Sequence, residues 1–99
     1  MTFRVRYTKA ARDDLRRLYE HLIKRDVGAA RRARDKIAKG VKLLEEFPFT
    51  CRKASPDSPF LRELLISFGS TGYVLLFEIE DAATVTILAA RHQREDDYL

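Results

Sequence analysis

Cysteine is almost missing from this chain: Cys51 stands alone among 99 residues. An internal disulfide is therefore excluded, and the core must hold by packing. Histidine is nearly as scarce. His21, His92 and Cys51 are scattered at no metal-ligand spacing, so no metal site is expected. Cys51 has no adjacent histidine to activate it as a nucleophile. No glycine-rich phosphate-binding motif is present either, and no cofactor is expected. No apolar run approaches the roughly 18 residues of a membrane span. The opening Phe3-Arg4-Val5-Arg6-Tyr7 alternates charge with apolar residues, unlike the continuous apolar stretch of a signal peptide. These absences lead to the expectation of a cytoplasmic protein without membrane association, forming one domain over residues 1–99.

Charge is plentiful but unevenly spread. Residues 4–42 hold fourteen Lys or Arg against five Asp or Glu, a balance of +9, and the rest of the chain has a balance of −5. A basic half attracts nucleic acid or an acidic protein partner, or simply keeps a helix surface solvated.

The hydropathy pattern gives an order of elements. Phe3, Val5 and Tyr7 alternate with arginines as in a half-buried strand. Thr8 is a helix N-cap candidate. Ala11, Leu15, Leu18 and Leu22 form one helical stripe, and Ala30, Ala33, Ile37, Val41 and Leu44 form a second. Asp26-Val27-Gly28 breaks the helices into a hairpin. Residues 47–60, with prolines at 48, 56 and 59, read as a loop. Strands are expected at Leu61–Phe68, Tyr73–Ile79 and Thr84–Ala90, joined by short turns as a meander. The expected fold class is α+β: β-α-α-β-β-β, a helical hairpin packed on a small, mostly antiparallel sheet. Strands 73–79 and 84–90 are apolar on both faces. A sheet covered by helices on one side should be polar on the other, so the second face either closes a core or awaits a partner.

Four local strings, in order, carry a resemblance. They are Tyr7-Thr8-Lys9-Ala10-Ala11-Arg12-Asp13-Asp14-Leu15, Leu61-Arg62-Glu63-Leu64, Gly72-Tyr73-Val74-Leu75-Leu76-Phe77, and Ile87 through Tyr98. With the element order and length, the chain resembles the RelE/ParE superfamily of toxins from bacterial type II toxin–antitoxin systems. The resemblance implies a cognate antitoxin as partner, seated on the open sheet face; an acidic amphipathic segment would also suit the basic helices. It implies one of two activities. RelE-like members cut mRNA on the ribosome; ParE-like members poison DNA gyrase by binding it. A third possibility is a non-toxic corepressor that only binds antitoxin.

RNA cleavage without metal needs a proton acceptor for the 2′-hydroxyl, a proton donor for the leaving oxygen, and cations at the developing phosphorane. RelE-like toxins draw these from lysines on one strand, an arginine after the Gly-Tyr of the next, and an arginine and tyrosine near the C-terminus. Here the lysine positions are Leu65 and Ser67, and Val74 follows Gly72-Tyr73. The C-terminal arginine position falls on or near His92, and the tyrosine falls on Tyr98. A substitute set would be His92 as acid or base, Arg91 or Arg94 as electrostatic stabiliser, Tyr98, and Arg62. A straight final strand would turn Arg91 and His92 to opposite faces, so only one could meet Arg62. The missing cations favour the ParE-like, non-enzymatic activity. Arg62, Val74, Leu76, Arg91, His92, Arg94 and Tyr98 are then expected to contact target or antitoxin.

Overall fold

The computed structural model describes residues 2–95. Its elements are β1 (Arg4–Tyr7), α1 (Lys9–Ile23), α2 (Val27–Leu44), a 3-10 turn (Pro48–Thr50), β2 (Arg52–Ser55), β3 (Ser58–Phe68), β4 (Thr71–Ile79) and β5 (Thr84–His92). Two helices pack on a sheet of order β1-β5-β4-β3-β2. β1 runs parallel to β5; the remaining pairs are antiparallel. The α+β reading and the helical hairpin on a mostly antiparallel sheet are as expected.

One strand more is present than the hydropathy pattern gives. Residues 47–60, read as a loop, contain the 3-10 turn, β2 and the start of β3. β2 is a four-residue edge strand whose residues do not alternate in hydropathy, so it lacks the usual signal. Pro59 sits beyond the part of β3 that β4 pairs with, which begins at Leu61, so its missing N–H removes no bond on that side.

The helices form where their stripes and caps coincide. Thr8 caps α1, its hydroxyl accepting from the Ala11 amide at 3.1 Å. Asp26 caps α2, accepting from Ala29 at 3.2 Å. Val27 and Gly28 therefore open α2 rather than belonging to the break. Ala11, Leu18, Ala33 and Leu44 face the sheet and meet Leu64, Ile66, Tyr73, Leu75, Phe77, Ile79, Val85, Ile87 and Ala90. Each fully buried large side chain in such a core contributes about 1.5–3 kcal/mol.

The strand that positions the site is not straight. Leu76 pairs with Ala89 but Phe77 pairs with Ile87, leaving Leu88 as the extra residue of a β-bulge. Before the bulge, Val85 and Ile87 face the helices; after it, Ala90 does. Two side chains from the start of α1 hold this irregularity. The Thr8 hydroxyl donates to the Leu88 carbonyl at 3.0 Å, and the buried Asp14 carboxylate accepts from the Ala90 amide at 3.0 Å. One-residue changes in register exchange a strand's two faces. The bulge thus decides which C-terminal side chains point toward the helices.

Candidate functional site at the carboxyl end of the sheet

Register places the expected site residues on two faces. On the outer face, away from the helices, Leu65 pairs with Val74, and Val74 pairs with Arg91. Leu76 and Ala89 form the next pair on the same face. Arg91, not His92, therefore stands beside the position that follows Gly72-Tyr73. Val74 is buried at 1% exposure, whereas Leu65 is 47% exposed. This row offers one cation where cleavage needs several. The Arg91 guanidinium also donates to the Glu95 carbonyl at 2.7 Å, bracing the turn that closes the described segment.

His92 lies on the helix-facing side, opposite Tyr73, with the two rings edge to face at 5.6 Å. Its Nδ1 accepts from the Arg94 amide at 3.1 Å, so the proton of the neutral ring sits on Nε2. Nε2 donates to the Thr71 hydroxyl at 3.0 Å. Desolvation, and then the Arg94 guanidinium, hold the imidazole below its usual pKa. A neutral imidazole with both nitrogens engaged is poorly set to shuttle protons.

Arg62 is not part of either group. It pairs with Phe77, four residues along β4 from Tyr73, or roughly 13 Å at strand rise. Its Nε donates to the Pro59 carbonyl at 2.7 Å, and Nη1 donates to Cys51 at 2.8 Å and Phe49 at 3.2 Å. Its guanidinium also lies 5.4 Å from the centroid of the Phe49 ring. Arg62 thus ties the turn at 48–50 to β3, and the substitute catalytic set of Arg62, His92 and Arg91 is not assembled. Burial raises the Cys51 pKa, keeping the thiol protonated rather than nucleophilic. Tyr98 lies outside the described residues. Among the described residues, no cluster of His, Cys, Asp and Glu could hold a metal, and no helix is long and apolar enough to cross a membrane.

Two features escaped the sequence reading. Asp14, near the start of α1, is a buried partner of β5. The signal was its place on the face of the Ala11–Leu18 stripe. The other is the Arg17–Glu95 bridge at 2.9 Å, joining α1 to the segment after β5, for which sequence separation hides any cue.

The whole arrangement has relatives. Residues 5–97 match the family of the ParE toxin of the type II toxin–antitoxin system parDE. The chain is 38% identical over 85 residues to Toxin RelE3 of Caulobacter vibrioides, covering 86% of this chain and 88% of that protein. Its fold is similar to a solved chain described as the chromosomal ParDE toxin–antitoxin system from P. aeruginosa, with a TM-score of 0.67. That match spans 96% of this chain and 98% of the other at 22% identity, a likeness of fold alone. The chain belongs to the ParE toxin family of type II toxin–antitoxin systems, within the RelE/ParE superfamily.

Proposed function

We propose that residues 1–99 act as one cytoplasmic toxin domain that inhibits DNA gyrase by binding it, and that a cognate antitoxin neutralises it. The observation that carries the non-enzymatic part is the row Leu65–Val74–Arg91, in which an exposed Leu65 and a buried Val74 stand beside a single guanidinium. The engaged, neutral His92 supports it further. Stabilising a phosphorane with one cation forfeits contacts each worth several kcal/mol in a dry site. A partly exposed apolar row with a guanidinium at its side suits protein contact, where arginine and buried apolar anchors carry binding. Gyrase as the target rests on membership of the ParE family.

The antitoxin has a second candidate seat besides the outer face. A groove of about 460 Å³ opens between α1 and α2, lined by Leu15, Tyr19, Leu22 and Ile37. Arg12, Arg16 and Arg34 also border it, and the Arg34 guanidinium lies 5.6 Å from the Tyr19 ring centroid. An acidic amphipathic segment would satisfy both the apolar floor and the cationic rim.

RelE-like mRNA cleavage is the second reading. Arg91 on the outer face and the name of the Caulobacter relative speak for it. Expression of the chain without antitoxin separates the two. The binding function gives gyrase-linked DNA breaks with intact messages; rapid cleavage of translated mRNA would replace it by the nuclease. A folded but harmless chain would instead leave the corepressor role.

A further inference from the structure

A second cleft, of about 810 Å³, lies on the helix side of the sheet, between the carboxyl half of α1, the β3–β4 turn and residues 92–95. It is separate from the outer-face row Leu65–Val74–Arg91 and from the groove between the helices, and of the described residues expected to make contacts only His92 and Arg94 border it. We propose that this cleft binds a free nucleoside di- or triphosphate. The inference goes beyond the toxin reading and does not depend on which target that toxin has.

Charge is the first argument. Arg17, Arg25 and Arg94 border the cleft, together with a single carboxylate, Glu95. Glu95 is held by both Arg17 nitrogens, at 2.9 and 3.5 Å. Arg25 and Arg94 form no ion pair with a carboxylate among the described residues. Two guanidiniums thus remain exposed at the cleft, and their planar forks match phosphate oxygens in pairs. The end of α1 would oppose an anion through its dipole. There, however, the Glu20 and Leu22 carbonyls already accept from the amides of residues 24–26.

Shape is the second argument. Phe68, Tyr73 and His92 form a continuous aromatic series along one wall, with ring centroids 6.0 and 5.6 Å apart. Phe68 and His92 are only half-buried, leaving ring surface for a base to stack on. Gly69 adopts φ 61°, the left-handed region, and the space where its side chain would be is open. Ser70 and Thr71 follow it on the same wall. A small phosphorylated ligand with a planar base fits a cleft of this size. A flat base can stack on the half-buried rings while its phosphates meet the guanidinium forks.

The test is amide chemical-shift titration of the full chain with ATP, ADP, adenosine, pyrophosphate and an oligoribonucleotide lacking terminal phosphates. Saturable shifts with ATP and ADP at Ser70, Thr71 and Phe68, weaker ones with pyrophosphate and none with adenosine are expected. The double variant Arg25→Ala/Arg94→Ala should weaken ATP about tenfold or more, since two charge-assisted contacts are lost. The charge-matched Lys36→Ala/Lys39→Ala, on α2, should leave it unchanged. Equal weakening in both variants would overturn the proposal in favour of diffuse attraction. Pyrophosphate binding as tightly as ATP would reduce the cleft to an anion site. Equal binding of the oligoribonucleotide would move it to polynucleotide contact, and absent shifts would remove it altogether.

Discussion

The two faces of the sheet at its carboxyl end use their polar groups differently. Toward the helices, the polar side chains beside the bulge and Tyr73 are tied to specific partners: Thr8 to Leu88, Asp14 to Ala90, His92 to Thr71 and Arg94. Away from them, Leu65 is half-open to solvent beside Val74 and Arg91. A polar group whose bonds are complete contributes to one geometry and has little left for chemistry, whereas an apolar surface left exposed still has free energy to gain by burial. The difference teaches that titratable residues at a strand end need not mark a catalyst. Here the histidine reads as part of the scaffold and the aliphatic row as the contact surface.

Truncations test that division most strongly. Phe77→Ala, in the fully buried helix-facing core, should cost about 3–5 kcal/mol of unfolding free energy in a denaturant titration. Leu65→Ala should change stability by less than about 0.5 kcal/mol, as exposed positions do. The same Leu65 change should weaken binding to target or antitoxin by about 1–2 kcal/mol, measured by calorimetry. A stability loss at Leu65 matching that at Phe77 would erase the distinction between the faces.

Asp14→Ala comes next. It strands the Ala90 amide beside the bulge and should cost about 1–3 kcal/mol. Asp14→Asn keeps an acceptor oxygen and should recover a good part of that loss. If both variants are equally stable as the parent, the bulge is not held from α1.

The smallest effect is a pH dependence. Folding lowers the His92 pKa, so the unfolded chain binds a proton that the folded chain rejects. The stability this confers is present above the unfolded value near 6.5 and is lost as pH falls through the depressed folded value. Unfolding free energy measured from pH 7.5 downward should show this decline, and His92→Gln should lessen it. A variant with an unchanged acid slope would show that His92 is not the group responsible.

How much of this was legible in the sequence follows from where each signal resides. The helix stripes, the Thr8 cap and the strands from Leu61 onward are periodic or chemically distinctive within a short window. β2 is neither: Arg52–Ser55 becomes a strand only because β3 is there to pair with. The bulge is still less local. It depends on Thr8 and Asp14, nearly eighty residues upstream, and without it straight alternation would put Ala89 rather than Ala90 beside Ile87 on the helix side. That one residue changes which of Arg91 and His92 meets Val74. The ties of Arg62 are hidden for a related reason: the carbonyls that accept from it lie in and around a turn without hydropathy pattern.

The most direct measurement places the purified chain in two reconstituted reactions, supercoiling by DNA gyrase and translation of a defined mRNA on ribosomes. A binding toxin should inhibit gyrase and trap cleaved DNA at stoichiometric concentration while the message stays full length. Cleavage of the ribosome-bound message, abolished by Arg91→Ala with the fold intact and accompanied by unaffected supercoiling, would contradict it.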